Sequence, residues 1–337
     1  MLTFIRQHGI PLWVYKASLL LAAAIWGMGT VVIKSTVDEF PPSWLVGVRF
    51  TGAGIILALC CLRKLQTRLA AAESRTGHLR DGAILGALLF LSYWTNSTGL
   101  TDTTASNSAF LTTLYVVIIP FLGWFIIRKR PTRFNIAAAL ACVAGVACVA
   151  YTGAGAFSLR FGDVVTLFSA LFLSLHVLYT AKFAPGRSMT VLTIIQFIVA
   201  GLLGFVMGAI TEPTPNFASL SPDTWVSLVY LTAFASCVAL GLQNAAVARV
   251  DPAQAALFLS AECVFGVIFS ILLLGEVITP SLFAGFALIF AGIVISEYLP
   301  LRAEKKRAQR ADKEKAPASC EASAPMRDLE EADAFMR

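Results

Sequence analysis

One carboxylate, Glu262, stands near the middle of twenty mostly apolar residues, "AALFLSAECVFGVIFSILLL" from Ala255 to Leu274. An ionisable side chain in such a stretch is costly unless it faces a protein interior or a water-filled cavity, where it pairs, holds a proton or contacts a solute. Other polar or ring-bearing residues are set into apolar runs in the same way: Trp26, Lys34, Arg49, Tyr93, Asn96, Tyr115, His176 and Gln243. The chemistry open to this set is hydrogen bonding, charge pairing and proton exchange with a small solute. Catalytic chemistry is poorly provided for, with three histidines and no HExxH, GxSxG or P-loop pattern, so no enzyme is expected. Six of the seven cysteines fall in apolar stretches and Cys320 in a charged tail, without a CxxC pair. They read as small apolar side chains, and neither a metal nor another cofactor is expected.

Each candidate has two readings. Glu262 shares a helical face with Phe258, Leu259, Phe265 and Phe269, and it serves either solute and proton coupling or a structural hydrogen bond. Tyr115, on a face with Ser108, Leu111 and Thr112, either touches a partly apolar solute or packs. Trp26 lies away from the interfacial belts where Trp collects and has small neighbours Ala22, Ala23, Gly29 and Thr30, which fit close helix packing or a cavity wall. The run "SYWTNSTGL", Ser92 to Leu100, places Ser92, Tyr93, Asn96 and Gly99 on one face. Asn96 and Gln243 then bind a polar solute or bridge helices. Arg49 and Lys34 are framework residues or charges at a cavity mouth. His176 is a second possible coupling group or a satisfied core residue.

These residues need elements to hold them, and the composition specifies which. Of 337 residues, 57% are hydrophobic and 14% charged, outside the usual soluble range. A helix crossing a hydrocarbon core of roughly 30 Å needs about 20 apolar residues. Ten such segments are expected, near 17–35, 43–62, 81–99, 106–127, 134–151, 162–182, 188–210, 222–243, 253–274 and 281–299. Runs such as "AILGALLFL" do not alternate, which argues against a membrane barrel. The first segment is followed by "KSTVDEFPP" rather than a cleavage site and reads as a retained helix. If the N-terminus is cytoplasmic, 23 of the 26 Lys and Arg fall on the cytoplasmic side, so both termini are expected there. The net charge of +6 is then explained by topology and anionic headgroups, with no nucleic-acid partner. Residues 1–16 are expected as a cytoplasmic N-terminus, and 300–337 as a charged cytoplasmic tail, disordered or transiently helical.

Ten spans split into two fives, 17–151 and 162–299, and five spans invert whatever follows. Rare intramembrane features recur 147 positions apart: Arg49 with Gln196, Asn96 with Gln243, Tyr115 with Glu262, Gly145 with Gly292, Tyr151 with Tyr298. Inverted repeats permit alternating access to a central site.

The chain resembles the EamA-type members of the drug/metabolite transporter superfamily. The most specific stretch is "DPAQAALFLSAECVFGVIFSILLLGEVITPSLFAGFALIFAGIV", Asp251 to Val294, with Glu262 as the central acidic residue and Gly275 Glu276 after the helix. Cys263 stands where the family usually has proline. The first half matches through "IWG" at Ile25 to Gly27, "RF" at Arg49 and Phe50, and "AFLTTLYVVIIP" at Ala109 to Pro120, with Arg128 Lys129 in place of "GE". The resemblance implies a secondary transporter, most often an exporter of amino acids, other small metabolites or toxic amphipathic compounds. The expectation is therefore an all-α, multi-pass inner-membrane transporter of ten helices, moving a small amphipathic metabolite through the bilayer from a central site near Trp26, Tyr93, Asn96, Tyr115, Gln243 and Glu262. The alternatives are uptake or exchange of sugars or phosphorylated metabolites, a non-transporting receptor and a membrane-embedded enzyme. Oligomeric state is open.

Overall fold

The computed structural model describes residues 11–70, 72–126, 128, 130–151, 159–247, 249–250 and 252–315. The expected N-terminal segment, except for 11–16, and the tail beyond 315 lie outside these residues. Every element described is helical: α1 Leu12–Thr36, α2 Pro42–Cys60, α3 Leu62–Ala70, α4 Ala72–Gly99, α5 Ala105–Thr113, α6 Tyr115–Ile126 and α7 Arg133–Ala150. Then follow α8 Phe161–Phe183, α9 Met189–Thr211, α10 Pro222–Val229, a π-helical segment Tyr230–Val238, α11 Ala239–Val247, α12 Pro252–Leu274 and α13 Pro280–Lys315. Seven helical stretches among the described residues are long and apolar enough to cross a membrane, and Phe258–Leu274 and Pro280–Ser296 are shorter apolar helices. Phe125, Phe161, Ile210, Leu272 and Phe283 are each at least 70% exposed, a surface suited to acyl chains rather than water.

Three boundaries differ from expectation, each for a local reason. Helix α4 begins at Ala72 rather than near 81, because its first turns are polar and carry no apolar signal. The stretch expected as one span over 106–127 is one apolar stretch, Ala105–Ile126, whose helix is interrupted at Leu114. There the Thr113 hydroxyl donates back to the Ala109 carbonyl, which bends helices, and Pro120 inside α6 has no N–H for the carbonyl four residues earlier. Helix α13 continues through Lys315, past the expected end near 299, since an Ala- and Lys-rich sequence propagates a helix already nucleated.

Charge divides the two ends of the bundle. The turns α1–α2, α4–α5, α9–α10 and α12–α13 carry Asp38, Glu39, Asp102, Glu212 and Glu276, with Asp163 and Asp223 in the first turns of α8 and α10 beside them; this is the acidic face, where Arg160 precedes α8. The opposite, basic face carries Arg63, Lys64 and Arg68 on α3, and Arg80, Arg130, Arg133, Lys182 and Arg187. On the acidic face the carboxylates cap helix N-termini, where unsatisfied N–H groups and the helix dipole favour negative charge. Glu212 accepts from Ser43 N at 3.0 Å, Glu39 from Ser221 N at 2.7 Å, Asp102 from Gly162 N at 2.8 Å, and Glu276 from Ala105 N and Ser106 N at 2.7 and 3.2 Å. On the basic face Asp81, buried, pairs with Arg80 and Arg187 at 2.9 and 3.0 Å, and His78 Nε2 accepts from Ser188 N.

The helices pack pairwise: α7 with α13, α2 with α9, α1 with α12, and α4 with both α8 and α9. Glycine permits the close approaches. A Cβ at Gly145 would stand 2.8 Å from the Gly285 carbonyl oxygen, and one at Gly292 would stand 2.9 Å from that of Ala138. Between α1 and α12, a Cβ at Gly27 would meet the Glu262 carbonyl oxygen at 2.7 Å. In a bilayer, where burial in lipid offers no hydrophobic gain, such contacts and interhelical hydrogen bonds hold the helices together.

Candidate functional site

A cavity of about 360 Å³ lies between α1, α2, α4, α5, the start of α6, α8, α9, α11, α12 and the π segment. Of the residues singled out in the sequence, Trp26, Arg49, Tyr93, Asn96, Tyr115, His176, Gln243 and Glu262 line it. Lys34 does not. It sits at the end of α1, where its Nζ donates to the Leu100 carbonyl at 2.8 Å, and so ties α1 to the α4–α5 turn instead of facing solute.

The π segment builds one wall. Its wider turn is marked by the Ala239 N–H donating to the Phe234 carbonyl five residues back, and Ser236 Oγ donates to the Leu231 carbonyl. Trp26 Nε1 donates to the Ala235 carbonyl of this segment at 2.8 Å, so the indole is held flat and its ring becomes a fixed surface. Arg49 Nε donates to Ser236 Oγ at 2.9 Å. The Arg49 guanidinium carbon lies 4.7 Å from the Tyr93 ring centroid and 5.1 Å from that of Phe50, two cation–π contacts that suit Arg better than Lys. Arg49 is 4% exposed, so its charge is screened by rings and one hydroxyl rather than by water.

Asn96 Nδ2 donates to Ser108 Oγ and Thr112 Oγ1 at 3.1 and 2.9 Å, binding α4 to α5 while the residue still borders the cavity. Tyr115 packs its ring against the core between α7, α12 and α13, and its carbonyl accepts from Ser174 at 3.1 Å. His176 Nε2 and Gln196 Oε1 are 2.8 Å apart, which fixes the ring but leaves the pair at the cavity edge.

Glu262 and Gln243 differ from these. Among the described residues neither side chain has a hydrogen-bond or ion-pair partner, and both border the open space. Arg49 lines the same cavity near enough to act on Glu262 electrostatically without touching it. The cavity thus presents a fixed cation, an unpaired carboxylate and a free amide within walls made by Trp26, Phe50, Tyr93, Leu240 and Leu259. Few convergent polar groups in a mostly apolar enclosure are the usual makings of a small-solute site. Among the described residues no three His, Cys, Asp or Glu converge to hold a metal.

On its acidic side the cavity is bounded by the contact of α5 with α12. There α12 packs on α5, the Ser106 and Ser270 hydroxyls are hydrogen-bonded, and Gly266 lies directly against Ala109. The lining runs to Thr180 and Gln243, a few residues from the basic-face ends of α8 and α11, and to Ile33 and Asn96, three residues from the acidic-face ends of α1 and α4.

Sequence reasoning missed Ser236 and named Thr112 only as a neighbour of Tyr115 on one helical face, because hydroxyls are common in apolar helices and carry no signal of their own. Gln196 had one, its position 147 residues after Arg49, and both residues border the cavity.

Comparison with known proteins bears on what such a cavity serves. The profile of the EamA-like transporter family matches residues 15–151 and again 160–298. An uncharacterized transporter of Archaeoglobus fulgidus is 28% identical over 299 residues, covering 87% of this chain and 91% of the relative. A protein of Salmonella typhimurium described as a probable amino-acid metabolite efflux pump is 25% identical over 291 residues, covering 83% and 93%. One solved crystal structure superposes with a TM-score of 0.59 at 19% identity, covering 86% of this chain and 98% of that one, a likeness of fold.

Proposed function

We propose a mechanism and a substrate class for this chain, which belongs to the EamA-like transporter family and is a multi-pass membrane transporter rather than an enzyme. It exports a small amphipathic metabolite, an α-amino acid in the first instance, by alternating access through the cavity between Arg49 and Glu262. The observation that carries this reading is the pairing of an enclosed cation with an unpartnered carboxylate across an apolar cavity. A zwitterion offers a carboxylate to Arg49, an ammonium to Glu262 and a side chain to the walls at Trp26, Tyr93 and Leu259. Gln243 donates to or accepts from the same polar end, and Asn96, Tyr115 and His176 shape the cavity. The amino-acid efflux description of the Salmonella relative agrees.

In this reading ten helices form two inverted five-helix repeats, 17–151 and 162–299, in the cell inner membrane, with both termini and the basic face in the cytoplasm. Contacts reciprocal under a shift of 147 positions support the duplication. Gly54 lies against Ile198, and its mate Gly201 against Thr51, the mate of Ile198. Gly145 meets Gly285 and Ile289, while Gly292 meets Ala138 and Cys142, their mates in turn. Gly27 lies on the Glu262 carbonyl, and Ser174 donates to that of Tyr115. The double family match divides the chain in nearly the same place.

Uptake or exchange of phosphorylated sugars is the second reading, favoured by Arg49. With Lys34 engaged at Leu100, Arg49 is the one Lys or Arg among the described residues that lines the cavity, and Glu262 opposes a doubly charged anion. Counterflow in proteoliposomes with labelled amino acids and sugar phosphates, comparing the wild type with Glu262→Gln, tests both. Saturable exchange of an apolar amino acid is expected. Loss of pH-driven accumulation with exchange retained in Glu262→Gln assigns the coupling proton to Glu262; exchange of sugar phosphates alone overturns the proposal.

A further inference from the structure

We propose that Glu276 is a one-sided latch that holds the resting transporter closed on its acidic face and keeps its cavity directed to the basic face. This rests on the alternating-access reading above. Helix α12 ends at Leu274, and Gly275, at φ 67°, turns the chain so that the Glu276 N–H donates to the Ser270 carbonyl and its carboxylate lies over the start of α5. Every N–H of that first turn is then satisfied. Those of Ala105 and Ser106 donate to the two Glu276 oxygens, and that of Asn107 donates to the Thr104 hydroxyl at 3.2 Å. A carboxylate on a helix N-terminus joins two charge-assisted hydrogen bonds to the favourable end of the dipole. The bond joins two elements that line the cavity and that part if it opens between them on the acidic face, where Ser106 meets Ser270 and Ala109 meets Gly266.

The opposite state has no equivalent, because by sequence the carboxylate and one of the two N–H donors are missing. The residue 147 positions before Glu276 is Lys129, which has no acceptor and repels a helix N-terminus. The residue 147 positions after Ala105 is Pro252, the first of α12, which has no N–H to donate. A state closed on the basic face by the exchanged arrangement therefore lacks the bonds that close the acidic face. With the rest of the two interfaces similar by repetition, this difference biases the resting population toward the conformation described. For an exporter whose basic face is cytoplasmic, that is the state that collects solute.

The test reads sidedness directly. Thr30→Cys places a thiol on the cavity lining of α1, in a background with the native cysteines replaced by alanine and counterflow retained. Labelling by a membrane-impermeant maleimide added at the acidic face is expected to be slow in the parent. It should rise about tenfold in Glu276→Ala and Glu276→Gln, and remain slow in Glu276→Asp, which restores the carboxylate. Glu212→Ala, which removes a cap between α9 and α2 rather than across α5 and α12, should leave it slow. Unchanged labelling in a monodisperse Glu276→Gln, while solute accelerates labelling of the parent, overturns the latch and leaves alternating access standing. If neither solute nor substitution exposes residue 30, alternating access falls and the latch with it.

Discussion

Arg128 and Gly275, 147 residues apart, both adopt left-handed backbone conformations, with φ of 60° and 67°, each just after an apolar helix ends. Gly accepts this region without a Cβ clash, whereas an L side chain is strained by roughly 1–2 kcal/mol there. Arg128 therefore pays for a turn that Gly275 makes freely. Arg128→Gly is expected to leave the turn intact and raise stability by up to about 1 kcal/mol, while Gly275→Arg lowers it by a similar amount. Thermal unfolding in detergent measures both.

The α7–α13 contact predicts an unequal response of two helical glycines. A Cβ at Gly145 meets Ile289 and the Gly285 carbonyl oxygen, so Gly145→Val should cost about 1–3 kcal/mol or displace α13. Gly241, in α11, has nothing within 4 Å of a built Cβ, and Gly241→Ala should stabilise by roughly 0.5–1 kcal/mol. Equal shifts in melting temperature from both substitutions would contradict the described packing.

Ser236 is expected to matter through Arg49. Ser236→Ala removes the acceptor of a buried guanidinium and should cost about 1–3 kcal/mol. Arg49→Lys keeps the charge but loses the fork and the flat face against Tyr93 and Phe50, so solute affinity should fall at least tenfold. Binding titrations of purified protein separate the two effects. An Arg49→Lys variant with undiminished affinity would remove Arg49 from the site.

Glu39 supplies the pH dependence. Hydrogen bonds from the Thr224 hydroxyl first, and then from the Ser221 hydroxyl and N–H, hold its carboxyl below the usual carboxylate range. A carboxyl lowered in the folded state contributes stability above its unfolded pKa, and that contribution is lost as pH falls through the folded one. Glu39→Gln should accordingly be less stable than the wild type near neutrality, the difference closing as pH drops below the carboxylate range. Parallel stability–pH curves would show that the Glu39 cap contributes nothing.

The arrangement of α1, α2 and α9 was legible because length and apolarity decide them: a run of about twenty apolar residues has no option in lipid but to satisfy its backbone as a helix. Polar residues inside those runs were equally visible, since Glu262, Arg49, Asn96 and Gln243 contrast with everything around them. Partners were not visible. Whether Asn96 meets Ser108, whether Lys34 reaches Leu100 and whether Arg49 meets Ser236 depends on helix rotation and crossing, which packing of distant segments decides.

The same division holds for the molecule as a whole. Sequence by itself determined the class of protein, the helical spans and the polar residues that a membrane interior tolerates only for a purpose, because lipid makes the cost of each unpaired polar group large and local. Tertiary structure alone decided which of these groups border one cavity, which are consumed in holding helices together, and which helix ends are tied across the acidic face. Those outcomes depend on contacts between different helices, from Asn96 on Ser108, 12 positions apart, to Glu276 on Ala105, 171 apart, and no local property of either partner encodes the distance between them.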